Sequence, residues 1–283
     1  MRHPILAILA FGGAALLGAC GGKGSDVDRA VQSVNAIDEN NLSDIMLSVA
    51  DPAEAVAYFK RATAEKPERI DLQRNLGKSL VKANLNVEAA GAWSRVTTMA
   101  GASAGDQVSY ADALIRAGQW DKAEAVLDAV PPTHETYTRY KLEAMIADGN
   151  KEWAKADSFY ETAVGLTTRP SGVLNNWGYS KLSRGEYLDA ERLFGEAIKY
   201  DPGLFTAKNN LVLARGAQRR YQLPIVDVDQ TERAQLLHTM ALTAIKQGDV
   251  EIGKSLLRDA IDTHPQHFED AARALTALEG ARS

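Results

Sequence analysis

The stretch that decides the fold runs from Ser171 to Leu204 and reads SGVLNNWGYSKLSRGEYLDAERLFGEAIKYDPGL. Its apolar residues follow the 3.6-residue period of two amphipathic helices, one on each side of the break Arg184-Gly185-Glu186. Gly185 can adopt the left-handed backbone conformation that ends a helix. Pro202 ends the second helix, because a proline pushes the residue before it out of the α region. The stretch therefore predicts a hairpin of two helices.

Small residues of this hairpin stand where two helices would touch, and large apolar residues stand around them. In this pattern the hairpin resembles a tetratricopeptide repeat (TPR), a unit of about 34 residues. The residues that fall at repeat positions 7, 8, 15, 17, 20, 24, 27 and 32 are Trp177, Gly178, Gly185, Tyr187, Ala190, Phe194, Ala197 and Pro202.

The same pattern recurs along the chain. Repeats start at positions 36, 70, 104, 137 and 171, at intervals of 34, 34, 33 and 34 residues. A last repeat resumes near Ala234, and Phe268 to Leu278 then predict a helix that covers the final apolar face. We expect an all-α fold, a right-handed TPR superhelical solenoid of helix-turn-helix repeats with a C-terminal capping helix.

One repeat does not complete the pattern. Its first helix begins near Phe205, but Arg215 stands at a position that is usually apolar, and Tyr221 to Val228 predict extended chain, packed or hinge-like, where a second helix should follow. The predicted divisions of the chain are a lipoprotein signal peptide at 1–19, a lipidated cysteine with its tether at 20–35, the TPR array at 36–214, an irregular linker at 215–233, and the final TPR with its capping helix at 234–283.

The N-terminus has the pattern of an export signal, with Arg2 followed by an apolar run. Leu17-Gly18-Ala19-Cys20 resembles the bacterial lipobox, which implies lipidation of Cys20 and membrane attachment through that lipid. The alternative is an ordinary signal peptide with a coincidental cysteine. In bacterial lipoproteins, a residue other than aspartate after the lipidated cysteine, here Gly21, favours retention in the outer membrane. We therefore expect an outer-membrane lipoprotein of the cell envelope that faces the periplasm.

Composition excludes several classes of protein. The formal net charge of −5 over 283 residues gives no general attraction to nucleic acid, so we expect no nucleic-acid partner. The single cysteine rules out an intrachain disulfide and a site with several thiolate ligands. No catalytic motif, metal site or cofactor motif is evident, and we predict that the protein is not an enzyme and carries no cofactor.

The first helix of each TPR lines a groove, and its positions 2, 5, 9, 12 and 13 face the ligand. Four cations on such positions, Arg74, Lys78, Lys82 and Arg116, predict a basic stripe that would capture an acidic segment or a C-terminal carboxylate. The alternative is a solvated helix face.

Asn175 and Asn209 occupy the same groove position in neighbouring repeats, and Tyr179 lies one turn after Asn175. An amide offers a donor and an acceptor, which suits the backbone of an extended peptide. The alternative is a local packing role for these asparagines. The four tryptophans (Trp93, Trp120, Trp153 and Trp177) recur at positions that we expect to face the core between helices.

A lipobox followed by a TPR array resembles the TadD-type assembly proteins of tight-adherence (Flp) pili. The resemblance implies a lipid-anchored scaffold that binds a pilus or secretion component through its groove. Two alternatives stay open: an adaptor in outer-membrane protein assembly or in regulation of a cell-wall enzyme, and an enzyme with an unrecognised site near the 215–233 linker.

Overall fold

A computed structural model describes residues 42–280 of the chain. This part is helical, and none of its residues lies in a β-strand. The signal peptide, Cys20 and the tether, predicted at 1–35, lie outside the described residues. The helices are α1 (42–48), α2 (Pro52–Glu65), α3 (Ile70–Lys82), α4 (Asn86–Thr97), α5 (Ala104–Arg116), α6 (Trp120–Asp128), α7 (Tyr137–Gly149), α8 (Trp153–Gly165), α9 (Ser171–Ser183), α10 (Tyr187–Tyr200), α11 (Phe205–Ala217), α12 (Gln230–Lys246), α13 (Val250–Thr263) and α14 (Glu269–Gly280).

The helices follow the predicted repeat. The first helices α3, α5, α7 and α9 begin at positions 70, 104, 137 and 171, which are the repeat starts read from the sequence. The predicted all-α fold of TPR helix pairs is confirmed. The chain divides into two compact units, the first ending at Asn84 and the second beginning at Leu85.

The turn inside each repeat of the second unit is made by one backbone motif. Gly185 has a φ of +80°, its N–H bonds the carbonyl of Leu182 at 3.1 Å, and the Glu186 N–H bonds the carbonyl of Lys181 at 2.9 Å. These two bonds satisfy carbonyls that the end of α9 would leave unpaired. The same pair of bonds and a positive φ recur at Gly118, Lys151, Arg219 and Gly248.

Close packing joins the two helices of the hairpin that decides the fold. Gly178 on α9 faces the ring of Phe194 on α10 so closely that a Cβ on Gly178 would lie 2.7 Å from Phe194 Cε1. Phe194 is fully buried together with Ala190 and Ala214. The close approach of the two helices therefore favours glycine at this position.

The irregular linker is packed, and it is shorter than predicted. α11 ends at Ala217 and α12 begins at Gln230, so the non-helical segment is 218–229 and not 215–233. The residues at both ends of the predicted range extend the flanking helices. Val226 packs against the core of α10 and α11, and Leu223 and Val228 pack against the core of α12 and α13. Extended chain therefore fills the place of a second helix.

The last helix covers the apolar end of the array. Ala271 of α14 is fully buried against α12 and α13, and Leu275 and Leu278 pack on the same core. This is the capping helix that the sequence predicts. Among residues 42–280, no helix combines the length and the apolar character needed to cross a membrane.

Candidate peptide-binding groove

A groove of about 530 Å³ opens on the second unit between the first helices α7, α9 and α11. Its lining combines aromatic rings, a thioether, amides and hydroxyls. The lining residues are Trp120, Met145, Asp148, Gly149, Trp153, Tyr160, Asn175, Asn176, Tyr179, Ser180, Ser183, Thr206 and Asn210.

Side-chain amides connect consecutive first helices along this face. Asn210 of α11 donates from Nδ2 to Asn175 Oδ1 of α9 at 3.0 Å, and Asn209 Oδ1 accepts from Thr239 Oγ1 of α12 at 2.7 Å. Asn175 lines the groove, whereas Asn209 is not among the residues that line it. Both predicted amides therefore tie neighbouring repeats together, and the role of each in peptide binding stays a prediction.

The side-chain amide of Asn175 keeps one group available for a ligand. Its Oδ1 is occupied by Asn210, while its Nδ2 makes no hydrogen bond to the described residues. Tyr179, one turn further along α9, is 58% exposed, and its hydroxyl also has no hydrogen-bond partner within residues 42–280. The groove thus presents an amide donor beside an exposed aromatic ring.

The wall of the groove contains a carboxylate, Asp148, which the repeat spacing also assigns to the groove face. Asp148 at the end of α7 accepts from Tyr160 of α8 at 2.8 Å and from Ser180 of α9 at 2.6 Å. Burial, reinforced by Asp148, raises the pKa of Tyr160 far above its ordinary value, so its hydroxyl remains a donor. One carboxylate therefore fixes the relative positions of three helices around the groove.

A second carboxylate, Asp157, is not among the predicted site residues and fixes the side chain of Trp177. Asp157 of α8 accepts from Trp177 Nε1 at 2.7 Å, from Lys181 Nζ at 2.9 Å and from Arg184 Nη2 at 2.7 Å. Burial alone would raise the pKa of Asp157, but these hydrogen bonds, led by Arg184, hold the pKa below its ordinary value of 3.8. The Arg184 guanidinium also lies 5.2 Å from the centre of the Trp153 ring, a cation–π contact.

Two of the four tryptophans, Trp120 and Trp153, line the groove. Trp93 is 4% exposed, but Trp120, the first residue of α6, is 42% exposed and lines the groove. Trp153, the first residue of α8, occupies the same position in the next repeat but is half-buried, so the indole is covered to different extents in the two repeats. The expectation that Trp120 is a core residue was wrong.

The predicted basic stripe is divided between the two units. In the first unit Lys78 is exposed, and Lys82 Nζ donates to the Leu47 carbonyl at 3.1 Å, where a cation stabilises the C-terminal end of α1. Arg74, on the same helix, is half-buried. In the second unit Arg116 Nε pairs with Asp112 at 2.7 Å. Lys82 and Arg116 thus have intramolecular partners, and the stripe as a binding site stays a prediction.

Charged residues around the 218–229 segment also pair with one another. Arg220 pairs with Glu191, Arg219 Nη1 lies 3.3 Å from Asp249 Oδ1, and the Tyr221 hydroxyl donates to the other oxygen of Asp249. These groups anchor the segment to α10 and to the start of α13. In the described part of the chain, no group of three or more His, Cys, Asp or Glu side chains could hold a metal ion.

The groove is built on the TPR fold, and the second unit contains the helix pairs that define this class of protein. The Cut9–Hcn1 hetero-tetramer of the APC/C aligns with a TM-score of 0.60 at 14% identity, covering 83% of this chain and 48% of that one, so the chain spans about half of its length. A TPR protein from Parabacteroides merdae aligns with a TM-score of 0.57 at 14% identity, covering 88% and 99%.

Human IFIT1, solved as a dimer with PPP-AAAA, aligns with a TM-score of 0.56 at 13% identity, covering 80% of this chain and 59% of that one. At these identities the likeness is one of fold. One of these structures contains a protein partner and another contains PPP-AAAA, so the fold does not determine the ligand. No known sequence family and no curated protein matches the chain.

Proposed function

We propose that the protein is a scaffold that binds an extended segment of a protein partner in the groove between α7, α9 and α11. The observation that carries the proposal is the lining of the groove. Exposed Tyr179 and Trp120 offer apolar area at a low cost in side-chain entropy, and the Nδ2 group of Asn175 can donate to a peptide carbonyl. Asp148 and Asp157 hold the surrounding helices, so the groove is formed before a ligand binds.

We further propose that the scaffold is anchored in the cell envelope by a lipid on Cys20 and faces the periplasm from the outer membrane. Its partner would be a component of a Flp-type pilus or of a secretion system. This part of the proposal rests on Leu17-Gly18-Ala19-Cys20 and on the likeness of the whole arrangement to TadD-type lipoproteins.

The groove is tested by photo-crosslinking in cells. A photoreactive phenylalanine replaces Tyr179 in one variant and Tyr200 in the control, because Tyr200 is equally exposed, at 61%, but lies on α10 outside the groove lining. We expect a discrete crosslinked protein from position 179 and none from position 200. Its identity distinguishes a pilus or secretion component from a factor of outer-membrane protein assembly. Equal crosslinking at both positions would rule out the groove.

The anchor is tested separately with Cys20→Ala. We expect the wild-type chain to incorporate labelled palmitate and to sediment with outer membranes, and the variant to lose both properties. A variant that still fractionates with the outer membrane would remove the lipid from the proposal and leave the groove untouched.

A further inference from the structure

A second cavity of about 350 Å³ adjoins the groove. It shares Trp120 and Gly149 with the groove, so the indole of Trp120 stands between the two spaces. The remaining lining residues are Asp121, Glu124, Ile146 and Asn150. A side chain of a segment lying in the groove could therefore enter this cavity by passing the face or the edge of Trp120.

All charged residues that line the groove and the second cavity are negative. Asp121, Glu124 and Asp148 are the charged residues in the two linings, and neither lining contains a lysine or an arginine. Asp148 is occupied by its two hydroxyl donors. Glu124 accepts one bond, from Asn150 Nδ2 at 3.0 Å.

Asp121 makes no hydrogen bond or ion pair with the described residues. Lys155 lines a smaller neighbouring cavity that shares Glu124 and Ile146 with the second cavity; its Nζ pairs with Glu152 at 2.8 Å, and its charge also interacts with Glu124. The second cavity thus combines an aromatic ring with two carboxylates that keep unused acceptor capacity.

We infer that this cavity binds the cationic side chain, arginine or lysine, of the protein segment that occupies the groove. The inference rests on the proposed function and adds the charge of the partner. A guanidinium or ammonium group beside Trp120 gains a cation–π interaction, and Asp121 and Glu124 supply charge complementarity and hydrogen-bond acceptors. The second unit therefore selects a basic segment, in contrast to the acidic segment predicted from Arg74, Lys78, Lys82 and Arg116.

The cavity is tested first with small probes. The full chain, labelled with ¹⁵N at tryptophan, is titrated with N-acetyl-arginine amide and with N-acetyl-citrulline amide, a neutral molecule of nearly the same shape. Trp120→Phe assigns the indole signal. We expect the arginine probe to shift the Trp120 signal saturably, with an affinity about tenfold or more above that of the citrulline probe.

Two variants separate the cavity from the general field of the protein. Asp121→Asn combined with Glu124→Gln should abolish the preference for arginine. Asp128→Asn combined with Glu161→Gln, which removes two charges as well but from exposed positions on α6 and α8 outside this cavity, should retain it. Equal affinities of the two probes for the wild-type chain, or a preference that survives the double substitution, would overturn the inference.

A library of blocked hexapeptides, each with arginine, citrulline, glutamate or alanine fixed at one position, then tests the groove. Preferential binding of the arginine set, lost in the double variant, supports the inference. Equal binding of all four peptide sets would overturn the inference but would remain consistent with the proposed scaffold function. If no set binds, the peptide-binding function itself fails, and so does the assignment of the cation to a peptide.

Discussion

Replacement of Gly178 by alanine sets two effects of known size against each other. Alanine favours a helix interior over glycine by about 1 kcal/mol. The new methyl group, however, would lie 2.7, 2.8 and 3.1 Å from three carbons of the Phe194 ring, and that ring is fully buried. Overpacking of this kind costs about 1–3 kcal/mol. We expect Gly178→Ala to lower the free energy of unfolding by about 0–2 kcal/mol.

Gly195→Ala on the facing helix α10 is the matched control. It brings the same gain in helix propensity, and a Cβ there meets no atom within 4 Å. The control should raise the free energy of unfolding by about 0.5–1 kcal/mol. Because the propensity terms cancel, the difference between the two variants isolates the contact with Phe194 and should be about 1–3 kcal/mol.

Urea unfolding followed by circular dichroism measures both variants, and melting temperatures should differ by about 2–4 °C for each kcal/mol. The double variant Gly178→Ala with Phe194→Leu should show a favourable coupling energy, since the smaller side chain makes room for the methyl group. If Gly178→Ala stabilised the protein as much as Gly195→Ala, the close packing of α9 on α10 would be refuted.

Three further predictions concern the turns and the ion pairs. Lys151 is exposed and has a φ of +61°, so Lys151→Gly should raise the free energy of unfolding by about 1 kcal/mol; urea unfolding with no gain would contradict the strain. Asp157→Asn leaves Arg184, whose side chain is 6% exposed, with only the more distant carboxylate of Glu186 at 3.6 Å, and should destabilise by about 2 kcal/mol or more in the same assay, whereas a neutral effect would show that the pair with Asp157 is dispensable. Burial lowers the pKa of His238 below its ordinary value of 6.5, with Asp270 opposing the shift. The unfolded state therefore binds a proton first, so the free energy of unfolding should fall as the pH drops from about 7.5 to about 5.5, and His238→Gln should lose that part of the fall.

The sequence was sufficient to predict the register of the helices, because apolar periodicity and the turn position recur at a fixed interval. Even Lys151 and Arg219, which are poor residues for a left-handed conformation, stand at the turn position that spacing assigns them. The length of the linker was less predictable, since α11 continues to Ala217 although Arg215 interrupts the apolar pattern. The aliphatic part of an arginine can lie along a core while its charge reaches a partner, here Glu191.

The candidate site was predictable only in part. Spacing assigned Asn175 and Tyr179 to the groove face, and both line the groove. Repeat spacing could not indicate that Asn210 donates a hydrogen bond to Asn175. A hydrogen bond between repeats depends on the distance between two helices and not on the periodicity of either helix. For the same reason spacing placed Asp148 on the groove face but could not indicate its bonds to Tyr160 and Ser180. The role of Asp157 and the exposure of Trp120 were not predicted.

The buried clusters of the second unit have a consequence for the order in which the chain folds. Between residues 137 and 278, four such clusters are each made from no more than four consecutive helices. A chain that emerges from its N-terminus can therefore complete these clusters in sequence, without waiting for a distant segment. At each stage only the newest helix leaves an apolar face open, and α14, the last to emerge, closes it.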